Sequence, residues 1–503
     1  MPDFVLDYRP LWAVLITLVA AGLILVTGRW PNLREAVTGA AALGKFAIVV
    51  SMLPAVLSGQ VLETVPLNLV SGLTLHLRVD PFGLLFALVA SGLWMVTSMY
   101  SVGYMRTLGY GHQTGYFASF AVCLSATMGI AFAANLITFV IFYEILTIAT
   151  YPLVIHMRTP EAISGGRKYL AYTLIAGQFL VVAVIWTHLI APGAGFQPGG
   201  FLAGKASAAV LQVLFFFFIV GTGVKAAIMP LHGWLPTAMV APTPVSALLH
   251  AVAVVKAGAF GVIRVVGYVY GPQLLGDIGL GTVLAWLAGF TIIVASVLAL
   301  AEGNLKRRLA FSTVGQLSYV VLGGALGHPV ALLGGIFHIV AHAFMKITLF
   351  FCAGAIYATT HKEKVSEMDG LGRQMPVTMG AFTLGSIGIV GGPLIVGFVS
   401  KWHLLVGAAK GGQEVFILVL AASALLTTGY FFPVVYRAYF GQPEEGGRVR
   451  EAVPFLLIPL GVTALLSVVL GVFSNIGLNF FQLATMAATS IVSGGVGPAG
   501  GIQ

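Results

Sequence analysis

The sequence predicts an all-α, polytopic membrane protein with about fourteen transmembrane helices. Three observations predict it. Hydrophobic residues make up 58% of the 503 and charged residues only 8%, whereas roughly a quarter of an ordinary soluble chain is charged. Apolar stretches of about 18 residues or more, long enough to cross a bilayer as helix, recur from end to end. The short loops between them alternate between basic and nearly uncharged, the pattern that fixes orientation in a membrane.

The expected spans lie near 11–27, 35–57, 81–101, 115–133, 136–156, 168–190, 208–229, 241–269, 279–301, 309–327, 330–356, 378–407, 414–440 and 453–480. The eighth is long and is expected to hide a short broken piece before Leu248. One alternating set of loops holds Arg29, Arg34, Arg106, Arg158, Arg167, Lys168, Lys306, Arg307, Arg308, Lys362, Lys364, Arg373, Arg437, Arg448 and Arg450. The other set, N-terminus included, holds only Arg9, Arg78, Lys205 and Lys410. An even span count with both termini on the non-cytoplasmic side of a cell inner membrane satisfies this asymmetry. Asp3 and Asp7 precede the first apolar run, so no cleavable signal pattern is expected. The Gly/Pro-rich segments 192–200 and 494–501 read as a flexible outer loop and a tail.

The same features exclude several functions. The net charge of +9 resides in short loops and is no nucleic-acid footprint. Cys123 and Cys352 each sit in an apolar run and imply neither a disulfide framework nor a cysteine metal site. Glycine runs such as GGALGHPVALLGG follow no strand and read as helix-packing glycines. With no phosphate loop, dinucleotide fingerprint or cysteine cluster, neither a cofactor nor a redox or hydrolytic centre is expected. The energy must come from an ion gradient or from partner subunits.

The chain is organised around residues 212–264. A membrane-grade apolar run leads to Lys225, then to Pro230 and Pro236, which lack a backbone donor and break a helix at lipid depth. A second apolar run carries His250 and Lys256. Gly391, Gly392 and Pro393 interrupt another span just before Lys401. Paired interruptions in the two halves of a transporter point to its central site.

Placing an ammonium at the bilayer centre costs between roughly 3 and 15 kcal/mol, so buried ionisable residues mark ion or proton paths. Those in this chain are Glu144, Lys225, Lys256, Lys346 and Lys401, with His232, His250, His338 and His342. Glu144 sits mid-span and is expected to pair with Lys225 in a way that varies with protonation. A Coulomb interaction of about 4 kcal/mol at ~4 Å and an effective dielectric near 20 is large enough to matter. The alternative is a static ion pair, although apolar residues hold helices together at less cost. Lysine suits a relay because burial brings its charged and neutral forms close in energy. Its alternative is snorkelling to the interface, the reading adopted, with packing, for Lys45. His338, His342 and Lys346 are spaced i, i+4, i+8 on one helical face. An HxxxH pair without HExxH is a poor metal motif, and a proton wire fits better. Asp80 in RVDPFG reads as a helix cap.

KAAIMPLHGWLPTAMVAPTPVSALLHAVAVVKAG closely resembles the central motif of the antiporter-like subunits shared by Mrp-type cation/proton antiporters and respiratory complex I. NLITFVIFYEILTIATYPLV, LKRRLAFSTVGQLSYV and HIVAHAFMKITLFFCAGAI resemble further segments of that family, in the same order. The resemblance covers roughly residues 78 to 440. It implies fourteen transmembrane helices with two inverted five-helix repeats, each containing a broken helix. The repeats would occupy 111–270 and 271–440, after three helices in 1–110 and before a C-terminal helix and tail in 441–503. It also implies that Glu144 and Lys225 form a functional pair, with Lys256 the central relay and Lys401 the terminal one. Such subunits translocate protons or exchange Na⁺ for H⁺, and they work beside other membrane subunits in the lipid bilayer. Lysine at 401, within Ser400-Lys401-Trp402, resembles the Mrp D-type subunit and the L and N types of complex I. The chain departs from the family at Thr237 and Met239, where WLPDAH is common. The reading is a D-type antiporter subunit. A proton-pumping subunit of a complex I-like or membrane hydrogenase-like enzyme is the alternative, and a non-conducting scaffold the third.

Overall fold

The computed structural model describes residues 4–70, 72–442 and 450–494. Asp3, Arg448 and residues 495–501 of the expected tail lie outside the described residues. Helices dominate. The chain opens with α1 (Arg9–Val26), α2 (Pro31–Ser51), its short continuation α3 (Leu53–Leu57), α4 (Pro81–Thr107), α5 (Gln113–Ala131), α6 (Leu136–Val154) and α7 (Pro160–Ile190). The interrupted centre comprises α8 (Ala208–Gly223), α9 (Trp234–Thr237), α10 (Thr243–Ala251) and α11 (Val254–Arg264), which runs into a π-helical turn over Val265–Tyr270. There follow α12 (Pro272–Asp277), α13 (Leu280–Ala301), α14 (Leu305–Ala325), α15 (Pro329–Thr360), α16 (Leu371–Gln374), α17 (Pro376–Val390) and α18 (Val396–Lys410). The chain closes with α19 (Val415–Phe440), α20 (Pro454–Val472) and α21 (Phe480–Ser493).

Local chemistry sets the helix starts. Proline occupies the first turn of α2, α4, α7, α15, α17 and α20, where its missing donor costs nothing. Asp80, Asn135, Thr159 and Asn304 each cap a helix by accepting a backbone N–H three residues on.

Among the described residues, eleven helices or helix runs are long and apolar enough to cross a membrane. Three more of the expected spans differ in kind. The seventh and twelfth are built on the shorter apolar helices α8 and α17, and the tenth, α14, opens on Lys306, Arg307 and Arg308. The polytopic all-α class is therefore correct. Three details of the expectation are not. The last span stops at Val472 instead of 480, and α21 is a further helix packed on α15 and α4. The break in the eighth span falls after Leu248, at Val252 and Ala253. The loop at 58–80 carries strands: β1 (Phe4–Leu6) pairs in parallel with β2 (Val61–Glu63), β2 pairs antiparallel with β5 (Arg78–Val79), and β3 (Leu67–Val70) forms a hairpin with β4 (Leu73–Leu75).

The loops form two layers. One is stitched by backbone pairing among the strands, the turn after α5 and residues 195–201, which bond along the π-turn. The opposite layer gathers the basic loops. There Arg106 meets Glu35 at 2.5 Å, Arg34 donates to Gln113 at 2.7 Å, and Asn304 bridges Lys364. Between the layers, the α10–α11 run and α15 are buried along their most apolar stretches, with α4 against both.

Candidate functional site

α6 presents Tyr143 and Glu144 to the interrupted seventh span. α8 ends at Gly223, and tight turns over 224–233 follow, pinned where Trp234 Nε1 donates to the Val224 carbonyl at 2.8 Å. Lys225 sits in these turns, fully buried. Its ammonium donates to the Tyr143 carbonyl at 2.5 Å and lies 3.4 Å from the centre of that residue's ring. Glu144 is the next residue, but among the described ion pairs none joins it to Lys225. The carboxylate instead lies against Gly177 of α7, where a Cβ would stand 2.5 Å from Oε1, and that oxygen has no hydrogen-bond partner. The two groups are neighbours in an open arrangement. Pro230 falls in the turns and Pro236 in α9, both inside the interruption. His232 is partly exposed there and packs on Phe311.

The break at Val252 and Ala253 places Lys256 in the first turn of α11. A cation there faces the positive end of the helix dipole, an unfavourable position unless a neighbour shares its proton. The neighbour is His342 of α15, whose Nδ1 lies 2.8 Å from Lys256 Nζ. An ammonium can only donate, so a charged Lys256 requires Nδ1 to accept and puts the ring hydrogen on Nε2, which has no partner. Gly258 lets α11 approach, since a Cβ there would lie 2.1 Å from the Ala226 nitrogen. Lys225 and Lys256 are thus held on touching backbone segments. His250, at the end of α10, packs at a tilt on Phe350 with ring centres 4.7 Å apart, and neither ring nitrogen is bonded.

One helical turn before His342, the His338 ring centre lies 6.1 Å from that of His342. His338 is bonded on both nitrogens, to Ser400 Oγ at 2.8 Å and to Gln316 Oε1 at 3.1 Å. Ser400 precedes Lys401 on α18. The Lys401 ammonium donates to the carbonyls of Ile389 at 2.5 Å and Val390 at 3.1 Å, the open C-terminal end of α17. The hinge containing Gly392 and Pro393 separates the two half-helices, and Gly391 at its start has φ +102°. On the other side of His342, Lys346 donates to Ser312 Oγ at 2.9 Å, which also accepts from the Tyr430 hydroxyl at 3.0 Å. The arrangement is a buried file of titratable side chains at hydrogen-bond or ring-contact spacing, from Lys256 through both histidines and the Tyr319 ring to Lys401, with Lys225 and Glu144 beside its head.

Sequence reasoning passed over several members. Gln316, Ser312, Ser400 and Tyr430 are uncharged and carry no cost that marks them in a sequence. Arg264 could have been found as a charge inside the eighth span. It forms a bidentate pair with Asp80, at 2.5 and 2.9 Å, within a cage of Phe82, Phe196, Phe260 and Tyr268 rings. Asp80 is a helix cap as expected and an ion-pair partner as well. Lys45 does not snorkel. It is fully buried, 5.2 Å from the Trp94 ring centre, because α1, α4 and α5 close over it. Among the described residues no three His, Cys, Asp or Glu side chains cluster as a metal site.

Fold and file together define a polytopic helical membrane protein with a charged, proton-competent axis buried between interrupted helices. The chain belongs to the family described as NADH:quinone oxidoreductase/Mrp antiporter, TM, which matches residues 133–427. It is 33% identical to NADH-quinone oxidoreductase subunit N of Desulforudis audaxviator over 80% of this chain and 82% of that one. It is also 28% identical to a probable K(+)/H(+) antiporter subunit of Rhizobium meliloti, over 86% of this chain and 44% of that protein. Two solved structures share the fold. One is from the Mrp complex of Dietzia sp., with a TM-score of 0.86 at 21% identity, covering 97% of this chain and 99% of that one. The other is from the archaeal membrane-bound sulfane sulfur reductase, with 0.85 at 25% identity, covering 97% and 98%.

Proposed function

We propose that this chain is a proton-translocating, antiporter-type subunit of a multisubunit membrane complex. Protons move along Glu144, Lys225, Lys256, His342, His338 and Lys401, with His250 and Lys346 flanking the central station. The Lys256–His342 contact carries the reading, because it joins two titratable groups from different helices where neither makes another hydrogen bond among the described residues. The basic loop layer faces the cytoplasm, both termini face the other side, and the chain crosses a cell inner membrane. Replacing Lys256 with Met in the assembled complex should abolish proton flux while the complex persists. Wild-type flux in such a complex would leave only the scaffold reading.

The first reading of the assembly is a monovalent cation/proton antiporter with this chain as its D-type subunit, supported by lysine at 401. The second is a redox-driven, complex I-like or hydrogenase-like pump, favoured by the identity to the subunit N relative. Purification from native membranes separates them. Small antiporter subunits co-purify in the first case, iron–sulfur or flavin subunits in the second.

A further inference from the structure

Lys45 stands outside the file and has no partner in it. Its Nζ is buried without a hydrogen bond, and so are two neighbouring donors on α4, Trp94 Nε1 and, one turn on, Ser98 Oγ. No carboxylate compensates the ammonium. The other charges on α2 are Arg34 and Glu35, about 15 Å away at 1.5 Å per residue. α4 carries only Arg106, at its far end and paired with Glu35. α1 carries only Arg9, α20 no charge, and α5 offers only Tyr116 and Cys123, which bond Ser101 and Thr150. Three donors without acceptors at lipid depth require a ligand that accepts hydrogen bonds.

A groove leads toward them. Lined by Glu35, Thr38, Ala42, Ser98, Met99 and Phe455 among others, it has a volume of about 320 Å³. That is room for on the order of ten waters at ~30 Å³ each. Its mouth is the Glu35–Arg106 pair, and its foot, at Ala42 and Ser98, is one helical turn from Lys45 and Trp94. Ser98, which lines the groove and is itself one of the three unpaired donors, brings the groove within one helical turn of Trp94 and so of the ammonium beside it.

We propose that this groove is a hydrated intake and that Lys45 is a proton-binding residue at its foot, a station separate from the Glu144–Lys401 file. The idea deepens the proton-carrying reading and rests on it. α4 links the station to that file. Tyr100 donates to the Phe351 carbonyl of α15 at 2.7 Å, Tyr104 accepts from Thr243 of α10 at 3.1 Å, and Phe86 stacks on Phe260 of α11. Gain or loss of charge at Lys45 therefore acts on the helix that backs both the central break and the histidine helix.

The test uses the assembled complex in vesicles with the groove mouth outward. Ser98→Cys should react with a small, charged, membrane-impermeant methanethiosulfonate, above the background of the buried Cys123 and Cys352. Adding Ala42→Phe should block that reaction. Lys45→Met should slow proton transport about tenfold and flatten its pH profile. Lys45→His should restore part of the rate with a displaced profile, while Lys45→Arg, charged at every working pH, should not. An unreactive Ser98→Cys, as expected if lipid or a partner helix fills the groove, overturns the proposal. So does a Lys45→Met complex with wild-type rate and profile. If Lys45→Met fails to assemble, the thiol reaction and the Lys45→His profile decide. The thiol readout needs no transport, so it fails independently of the relay, which stands or falls with Lys256→Met.

Discussion

Lys256 Nζ lies 2.8 Å from His342 Nδ1, tying the first turn of α11 to the middle of α15. The contact joins a strong base to a weaker one with no carboxylate between them, so one proton can be shared and passed. Lys256→Met removes the donor and keeps the volume. Proton flux in vesicles should fall about 100-fold, the scale of a lost proton-transfer group, while native gel electrophoresis shows an intact complex. His342→Phe should behave alike, because it removes the same acceptor.

Gly177 sets the position of the Glu144 carboxylate. A methyl group there would stand 2.5 Å from Oε1, so Gly177→Ala must turn the carboxylate away. Flux should drop several-fold in the otherwise native chain, and far less where Glu144→Ala is already present. A coupling energy of about 0.5–3 kcal/mol is the signature of such direct contact. Additive effects would place the action of Gly177 elsewhere.

The Asp80–Arg264 pair ties the start of α4 to the end of α11. Asp80→Asn keeps a capping oxygen for the Gly83 N–H but leaves the guanidinium buried and unpaired. Such losses run to about 3 kcal/mol or more, and a clear fall in the thermal midpoint is expected. The double variant Asp80→Asn with Arg264→Met should unfold at a higher temperature than Asp80→Asn alone.

Gly391 adopts φ +102°, and a Cβ there would sit 2.9 Å from Lys401 Cδ. Gly391→Ala should lower the thermal midpoint through backbone strain of about 1–3 kcal/mol. It should also slow flux by displacing Lys401. Lys401→Met should slow flux without the same loss of stability, a difference calorimetry can detect.

Much of this architecture was legible in the residue string. Charged side chains inside long apolar runs are costly enough to announce themselves, and Pro230 and Pro393 do fall at interruptions, whereas Pro152, Pro433 and Pro459 sit inside unbroken helices. What escaped was set by packing. Val252 and Ala253 are not breakers, and the break between them goes with α11 lying against the Lys225 turn, an approach that only the bare Cα of Gly258 allows. The snorkelling assumed for Lys45 considered its reach but not the helices that close over it. Glu144 and Lys225 were expected as a pair that varies with protonation, and the arrangement seen here is the open one, with the carboxylate against Gly177 of α7 and the lysine on the Tyr143 backbone carbonyl. Hydroxyl and amide links such as Ser400 and Gln316 become visible only once helices far apart in sequence are brought together.

The lysine at the end of the file is steadied by the carbonyls of Ile389 and Val390, groups that carry partial charge but cannot bind or release a proton. No change of pH can neutralise that support. Only a change in the shape of the short hinge from Gly391 to Ile395 can withdraw it. On the proposed proton path, the last station would then be subject to mechanical command: whatever bends that hinge, including a neighbouring protein, would decide when its proton is let go.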